Sequence, residues 1–111
     1  MPAWRTCVQA AIDKKATNVK VLDLRPVTSF ADYFVLCSGS NQRQIQAIAD
    51  SVGRAMAARG ENPTSVEGER NAEWILVDYG DIVVHVFTEA ARAYYDLDRL
   101  WRDAAPVPVP A

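Results

Sequence analysis

The sequence predicts a single α/β domain of the α+β kind, one mixed sheet with helices mainly on one face, and three features predict it. Tyr33-Phe34-Val35-Leu36-Cys37 is an unbroken apolar run, as expected of a strand covered on both sides. Glu73–Tyr79 and Ile82–Phe87 are two strong strand patterns joined by a tight turn at Gly80-Asp81. Between the Tyr33–Cys37 run and that hairpin, residues 41–59 carry Ile45, Ile48, Ala49, Val52 and Met56 at helical spacing. A chain of 111 residues has room for one core and not for two.

In chain order, Trp4–Lys15 places Cys7, Val8, Ala11 and Ile12 on one side of a first amphipathic helix. Asn18 breaks it, and Val19–Leu24 starts with apolar–polar alternation and reads as a strand ended by Arg25-Pro26. Residues 27–32 connect it to the Tyr33–Cys37 strand. Ser38-Gly39-Ser40 then turns the chain into the long helix, with Ser40 as the expected N-cap and Gly60 at the left-handed C-terminal cap. Pro63–Glu67 is a weak strand suited to a sheet edge. After the Gly80-Asp81 hairpin, Thr88 and Glu89 start a last helix through Tyr94 and on toward Trp101. Residues 1–103 are expected to form the domain. Residues 104–111 are expected to be a proline-rich, flexible tail, because the alternating prolines of Pro106-Val107-Pro108-Val109-Pro110 oppose both helix and sheet.

Composition excludes several classes of function. Half of the residues are hydrophobic, enough to fold without metals or disulfides. The formal net charge of −2, with both signs interspersed, argues against a protein that grips a phosphate backbone. Cys7 and Cys37 are the only cysteines and lie far apart, which suits a reducing compartment. No apolar stretch is long enough to span a bilayer and the N-terminus lacks a secretory pattern, so the expected location is cytoplasmic.

The hairpin raises the functional question. Successive strand side chains alternate between faces, so Trp74, Leu76 and Asp78 share one side while Ile75, Val77 and Tyr79 share the other. On the next strand Ile82, Val84 and Val86 oppose Val83, His85 and Phe87. Both sides are rich in large apolar groups, more than three modest helices could cover. Either a helix wraps around and the sheet is a buried middle layer, or one face is a docking surface. Tryptophan and tyrosine bordered by acids are what an interface hot spot contains. Sequence leaves both readings open.

Other candidate sites read as structural. Ser38-Gly39-Ser40 lacks the lysine and spaced glycines of a phosphate loop and reads as turn and cap. Cys37 and His85 sit inside strands rather than on exposed loops, against a nucleophile–base pair. With one histidine there is no ordinary histidine-cluster metal site; His85 either hydrogen-bonds within the sheet or faces a partner. Asp23, Asp32, Asp78 and Asp81 read as turn and strand-end residues, since no Asp-x-Asp lies on a strand. Asp96-Leu97-Asp98 has that spacing in a helical context, where the side chains diverge. Tyr94, Tyr95, Leu97, Leu100 and Trp101 form an amphipathic segment for core or dimer packing. Neither a catalytic group, a metal nor a cofactor is expected.

Several ordered motifs resemble one family, the Iojap family of ribosomal silencing factors. They are Val21-Leu22-Asp23-Leu24, Asp32-Tyr33-Phe34-Val35-Leu36-Cys37-Ser38-Gly39-Ser40, residues 44–50, Val66-Glu67-Gly68, Trp74 through Phe87, and Tyr94 through Trp101. The resemblance covers about Ala16 to Trp101. It implies a mixed five-stranded sheet related to nucleotidyltransferase folds but without their catalytic acids, and a tendency to form homodimers. It also implies a non-enzymatic function: binding ribosomal protein L-fourteen on the large ribosomal subunit, which blocks subunit association and represses translation. In that family the tryptophan-to-aspartate strand and its turn contribute to the contact, which maps to Trp74 and Asp78; Leu76, Tyr79 and Asp81 are added from strand geometry. Neither a membrane nor sequence-specific nucleic acid is expected as a partner. The rival expectation is a nucleotidyltransferase-like, nucleotide-binding enzyme that uses the Ser38-Gly39-Ser40 turn and the scattered aspartates.

Overall fold

The computed structural model describes residues 1–68 and 73–109. Helix α1 (Ala3–Asp13) leads to β1 (Thr17–Asp23) and β2 (Tyr33–Gly39). Helix α2 (Gln42–Ala58) follows, then β3 (Ser65–Glu67), β4 (Trp74–Asp78) and β5 (Ile82–Thr88). The chain closes with α3 (Glu89–Tyr95), a single helical turn α4 (Leu97–Leu100) and β6 (Ala105–Val107). The six strands form one mixed sheet in the order β3-β4-β5-β2-β1-β6. Only β2 and β5 run parallel, with Tyr33 opposite Ile82 and Gly39 opposite Thr88; the other pairings are antiparallel.

The sheet therefore has six strands rather than five, and the extra one comes from the segment expected to be a flexible tail. Ala105–Val107 pairs with β1, Val107 opposite Val21 and Ala105 opposite Asp23. The alternating prolines do not prevent this, because on an edge strand every second N–H points away from the neighbour and a proline there removes no ladder bond. Pro110 and Ala111 of that expected tail lie outside the described residues.

Local chemistry explains the other boundaries. The N-cap of α2 is Asn41, one residue later than expected, and its side chain accepts from the Gln44 N–H at 2.8 Å. Ser40 lies in the bend between β2 and α2, and both its N–H and its hydroxyl donate to the Gln44 side-chain oxygen. Gly39 is the glycine that packing requires, since a Cβ there would come within 3.0 Å of Ile45 on α2. Gly60 ends that helix with φ 81°, in the left-handed region. The Thr88 hydroxyl caps α3 by accepting from the Ala91 N–H. The closing helix is not continuous: Asp96 adopts φ 50° and separates α3 from α4.

The layers follow from helix length. Helices α1 and α2 lie on one face, where Cys7, Val8, Ile45, Ile48 and Val52 pack on Val21, Val35, Val84 and Val86, all fully buried. The other face carries a second core of Leu22, Leu24, Phe34, Leu36, Val83 and Phe87, roofed by Ala91, Leu97 and Trp101 from the short C-terminal helices and the segment after them. A helix rises about 1.5 Å per residue, so the 17 residues of α2 span the sheet whereas the 7 of α3 cover only a corner.

Candidate docking face

The β4–β5 hairpin sets up the site. Its two-residue turn fixes the register: Trp74 lies opposite Phe87, Leu76 opposite His85 and Asp78 opposite Val83. Gly80 adopts φ 90°, and the Tyr79 N–H donates to the Ile82 carbonyl at 2.8 Å to close the turn. Trp74, Leu76, Val83, His85 and Phe87 all belong to the face carrying the short helices. Ile75 and Val77 are buried against α2, whereas Trp74, Leu76 and Asp78 are each half-buried. The indole of Trp74 therefore does not lie wholly beneath a helix of its own chain.

Aromatic rings surround that tryptophan. Its ring stacks on Phe87 with centroids 5.0 Å apart and meets Tyr95 of α3 at 4.8 Å. Across the same face Phe34 stands edge-on to His85 at 4.5 Å and to Trp101 at 5.5 Å, and Phe30 packs on both Phe34 and Trp101. The rim is open to solvent: Phe30 is 57 % exposed, Tyr95 49 % and Tyr94 82 %. Apolar and aromatic groups at this density, half-desolvated around an indole, are the make-up of an association surface.

His85 is the polar group within it. The Trp74 indole N–H donates to His85 Nδ1 at 3.1 Å, and the other ring nitrogen, Nε2, is buried without a hydrogen-bond partner among the described residues. Burial disfavours the imidazolium and pushes the His85 pKa down to about 4, with Asp78 pulling weakly the other way. The ring is neutral at physiological pH.

The five predicted contact residues do not all meet. Trp74, Leu76 and Asp78 line one strip about 13 Å long, at roughly 3.3 Å per residue. Asp78 Oδ1 accepts from the Gly80 N–H at 2.7 Å, which orders the turn. Asp81 is exposed at that turn, and its carbonyl accepts from the Asp32 and Tyr33 N–H groups. Tyr79 falls on the opposite side, packed against the α1–α2 core, where burial pushes its phenol up to about 12. Strand alternation, which sends residue 79 the other way from residue 78, accounts for the difference. Sequence reasoning assigned Tyr95 and Trp101 to core or dimer packing rather than to this face and missed Phe30 and Phe34; all four reach the face from outside the hairpin. It raised His85 without seeing its bond to Trp74, although the Gly80-Asp81 turn makes the two diagonal neighbours across the ladder.

The arrangement does not support the nucleotide-enzyme rival. Asp23, Asp32, Asp78 and Asp81 gather at the edge of the sheet where β2 and β5 begin, whereas Ser38-Gly39-Ser40 lies where they end. Seven residues of strand separate them, about 20 Å. The N-terminus of α2 is already capped by Asn41, and the Ser38 hydroxyl accepts from Arg92 at 3.0 Å. Arg92 also forks onto Asp98, joined by Lys20, so Asp98 is held below the usual carboxylate range as an ion-pair member. The Cys37 thiol donates to the His85 backbone carbonyl rather than the imidazole, and burial raises its pKa to about 12. Among the described residues no group of three histidines, cysteines or acids could hold a metal ion, and no helix is long and apolar enough to cross a membrane.

Comparison with known proteins identifies the lineage. Residues 2–111 match the family model described as ribosomal silencing factor during starvation. A ribosomal silencing factor from Halalkalibacterium halodurans is 42 % identical over 100 residues, covering 90 % of this chain and 86 % of the relative. The chloroplastic Iojap protein of Zea mays is 30 % identical over 102 residues, covering 92 % of this chain and 44 % of that longer protein. A crystal structure of a protein from Chromobacterium violaceum superposes with a TM-score of 0.88 at 32 % identity, over 100 % of this chain and 92 % of the other. The chain belongs to the ribosomal silencing factor (Iojap) family, whose members are non-enzymatic ribosome-binding factors.

Proposed function

We propose that this silencing factor binds the large ribosomal subunit through ribosomal protein L-fourteen and blocks subunit association by occupying the surface the small subunit needs. The observation that carries the reading is the half-buried indole of Trp74, partly exposed beside Leu76 on a sheet face that the two long helices do not reach. Trp74 and Leu76 supply the apolar anchor. Asp78, whose second oxygen is not used by the turn, and exposed Asp81 pair with lysine or arginine side chains of the partner. Tyr79, on the other side of the sheet, takes no part in this contact. The action is steric and needs no turnover, and the cytoplasm is its setting.

Trp74→Ala tests the reading. The variant is expected to remain folded yet to lose co-sedimentation with purified large subunits, because removing a desolvated aromatic anchor costs about 2 kcal/mol or more of binding. Binding equal to wild type would reject the assigned surface. We propose in addition that the chain forms homodimers. Light scattering distinguishes use of this same face for self-association, in which case Trp74→Ala is monomeric where wild type is dimeric.

A further inference from the structure

We propose that His85 is a positioning residue for the docking face: its Nδ1 takes the indole N–H of Trp74 and holds the ring in the pose the partner meets. The inference rests on the reading of that face given above and adds a residue that touches no partner itself.

The geometry is specific. An indole N–H can only donate, so a 3.1 Å contact to Nδ1 requires that nitrogen to be bare and the imidazole proton to sit on Nε2. The acceptor is itself fixed. The imidazole is 3 % exposed, lies nearly parallel to Phe87 at 11° and meets Phe34 edge-on at 4.5 Å. The indole is thus stacked on Phe87, flanked by Tyr95 and pinned at its nitrogen by His85.

Packing alone does not explain a histidine here. Its same-face neighbours on β5 are Val83 and Phe87, and an apolar side chain would fill the space without burying Nε2 unpartnered. What the imidazole supplies and an apolar ring does not is an acceptor for Trp74. Without it the indole N–H is either left unsatisfied at the margin of an apolar cluster, or swings outward to water and abandons its stack on Phe87. A hot-spot ring already held in its bound orientation loses less freedom on association and binds more tightly.

Nitrogen-15 NMR of the wild-type protein, with His85→Phe and His85→Gln, tests this. Wild type is expected to show the Nε2–H tautomer at His85 and a slowly exchanging Trp74 indole N–H; a proton on Nδ1 would overturn the proposal even if no variant folded. His85→Phe keeps a ring but no acceptor. It should move the Trp74 indole signal toward its solvent-exposed position and weaken large-subunit binding roughly five- to tenfold, the size of one neutral hydrogen bond. His85→Gln offers a carbonyl acceptor and should recover much of both. Wild-type affinity in His85→Phe, or equal losses in both variants, would sink the positioning role while leaving the docking face intact. Failure of the wild-type protein itself to bind large subunits would instead sink the docking reading, and the functional half of this proposal with it.

Discussion

The two faces of the sheet come from the same strands and end in opposite states. On the α1–α2 side, Val35, Val84, Ile45 and Ile48 are fully buried. On the other side, Trp74 and Leu76 remain half-buried, and Phe30 and Tyr95 are open. Strand composition does not make the difference, since the hairpin is apolar on both sides. Helix length does: 11 and 17 residues roof one face, 7 and 4 the other. The α1–α2 face is mostly used up in holding the molecule together, apart from a cleft between α2 and the β3–β4 edge lined by Ala49, Gly53, Val66, Ile75 and Tyr79, and the other face keeps part of its aromatic surface exposed.

The comparison can be broken at four points. On the α1–α2 face Ile48→Ala should be the most damaging change, lowering unfolding free energy by about 2–5 kcal/mol through lost burial and a cavity. Denaturant titration reads that loss, and large-subunit binding below the new unfolding transition should be unaltered. If Ile48→Ala weakened binding as much as Trp74→Ala does, the division of labour between faces would be wrong.

Acidification should act on the open face through His85. Its pKa is about 4 in the folded chain against an ordinary 6.5, so between those values the unfolded chain binds the extra proton. Stability from this group is complete above about pH 6.5, declines as pH falls, and is fully lost below about pH 4. The sum is about 3 kcal/mol at most, by the usual 1.36 kcal/mol per pKa unit. Urea titrations of wild type and His85→Gln at pH 7 and pH 5 isolate it from the carboxylates: the wild type should lose more on acidification than the variant. Equal losses would mean that His85 titrates normally.

Smaller effects belong to the turn. Gly80→Ala forces a side chain into φ 90° where space is open but the backbone is unfavourable, at about 1 kcal/mol of stability. The same variant should loosen the register that places Trp74 over Phe87, visible as altered near-ultraviolet dichroism. Smallest is Asp81→Asn. As an exposed rim charge it should alter large-subunit binding by less than about 1 kcal/mol, chiefly by slowing association at low salt and vanishing at high salt. A salt-independent loss would place Asp81 in the desolvated centre instead.

Much of the fold was legible because its signals are local. The apolar run at Tyr33–Cys37, the stripe Ile45–Met56 and the turn at Gly80-Asp81 all became the expected elements within a residue or two. Boundaries failed where neighbours compete: Asn41 rather than Ser40 caps α2 because Ser40 bonds the Gln44 side chain, and Asp96 breaks the closing helix. The sixth strand was invisible, since nothing in Ala105-Pro106-Val107 announces that β1 has a free edge to receive it. At the candidate site, alternation along the hairpin was enough to put Trp74, Leu76 and Asp78 together and should also have removed Tyr79. The aromatic rim was not readable, because Phe30, Tyr95 and Trp101 come from segments distant in the chain.

What the sequence determined by itself was the set of elements, the family, and the fact that the hairpin carries more apolar surface than a two-layer domain needs. Periodicity and turn chemistry act over a few residues, so they survive without knowledge of the rest. Only the tertiary structure decided which of the two faces stays open and that His85 grips the Trp74 indole. Both depend on where helices of unequal length come to lie on the sheet and on the ladder register that brings side chains together. Burial and hydrogen-bond pairing are properties of the assembled layers, which no single stretch of chain contains.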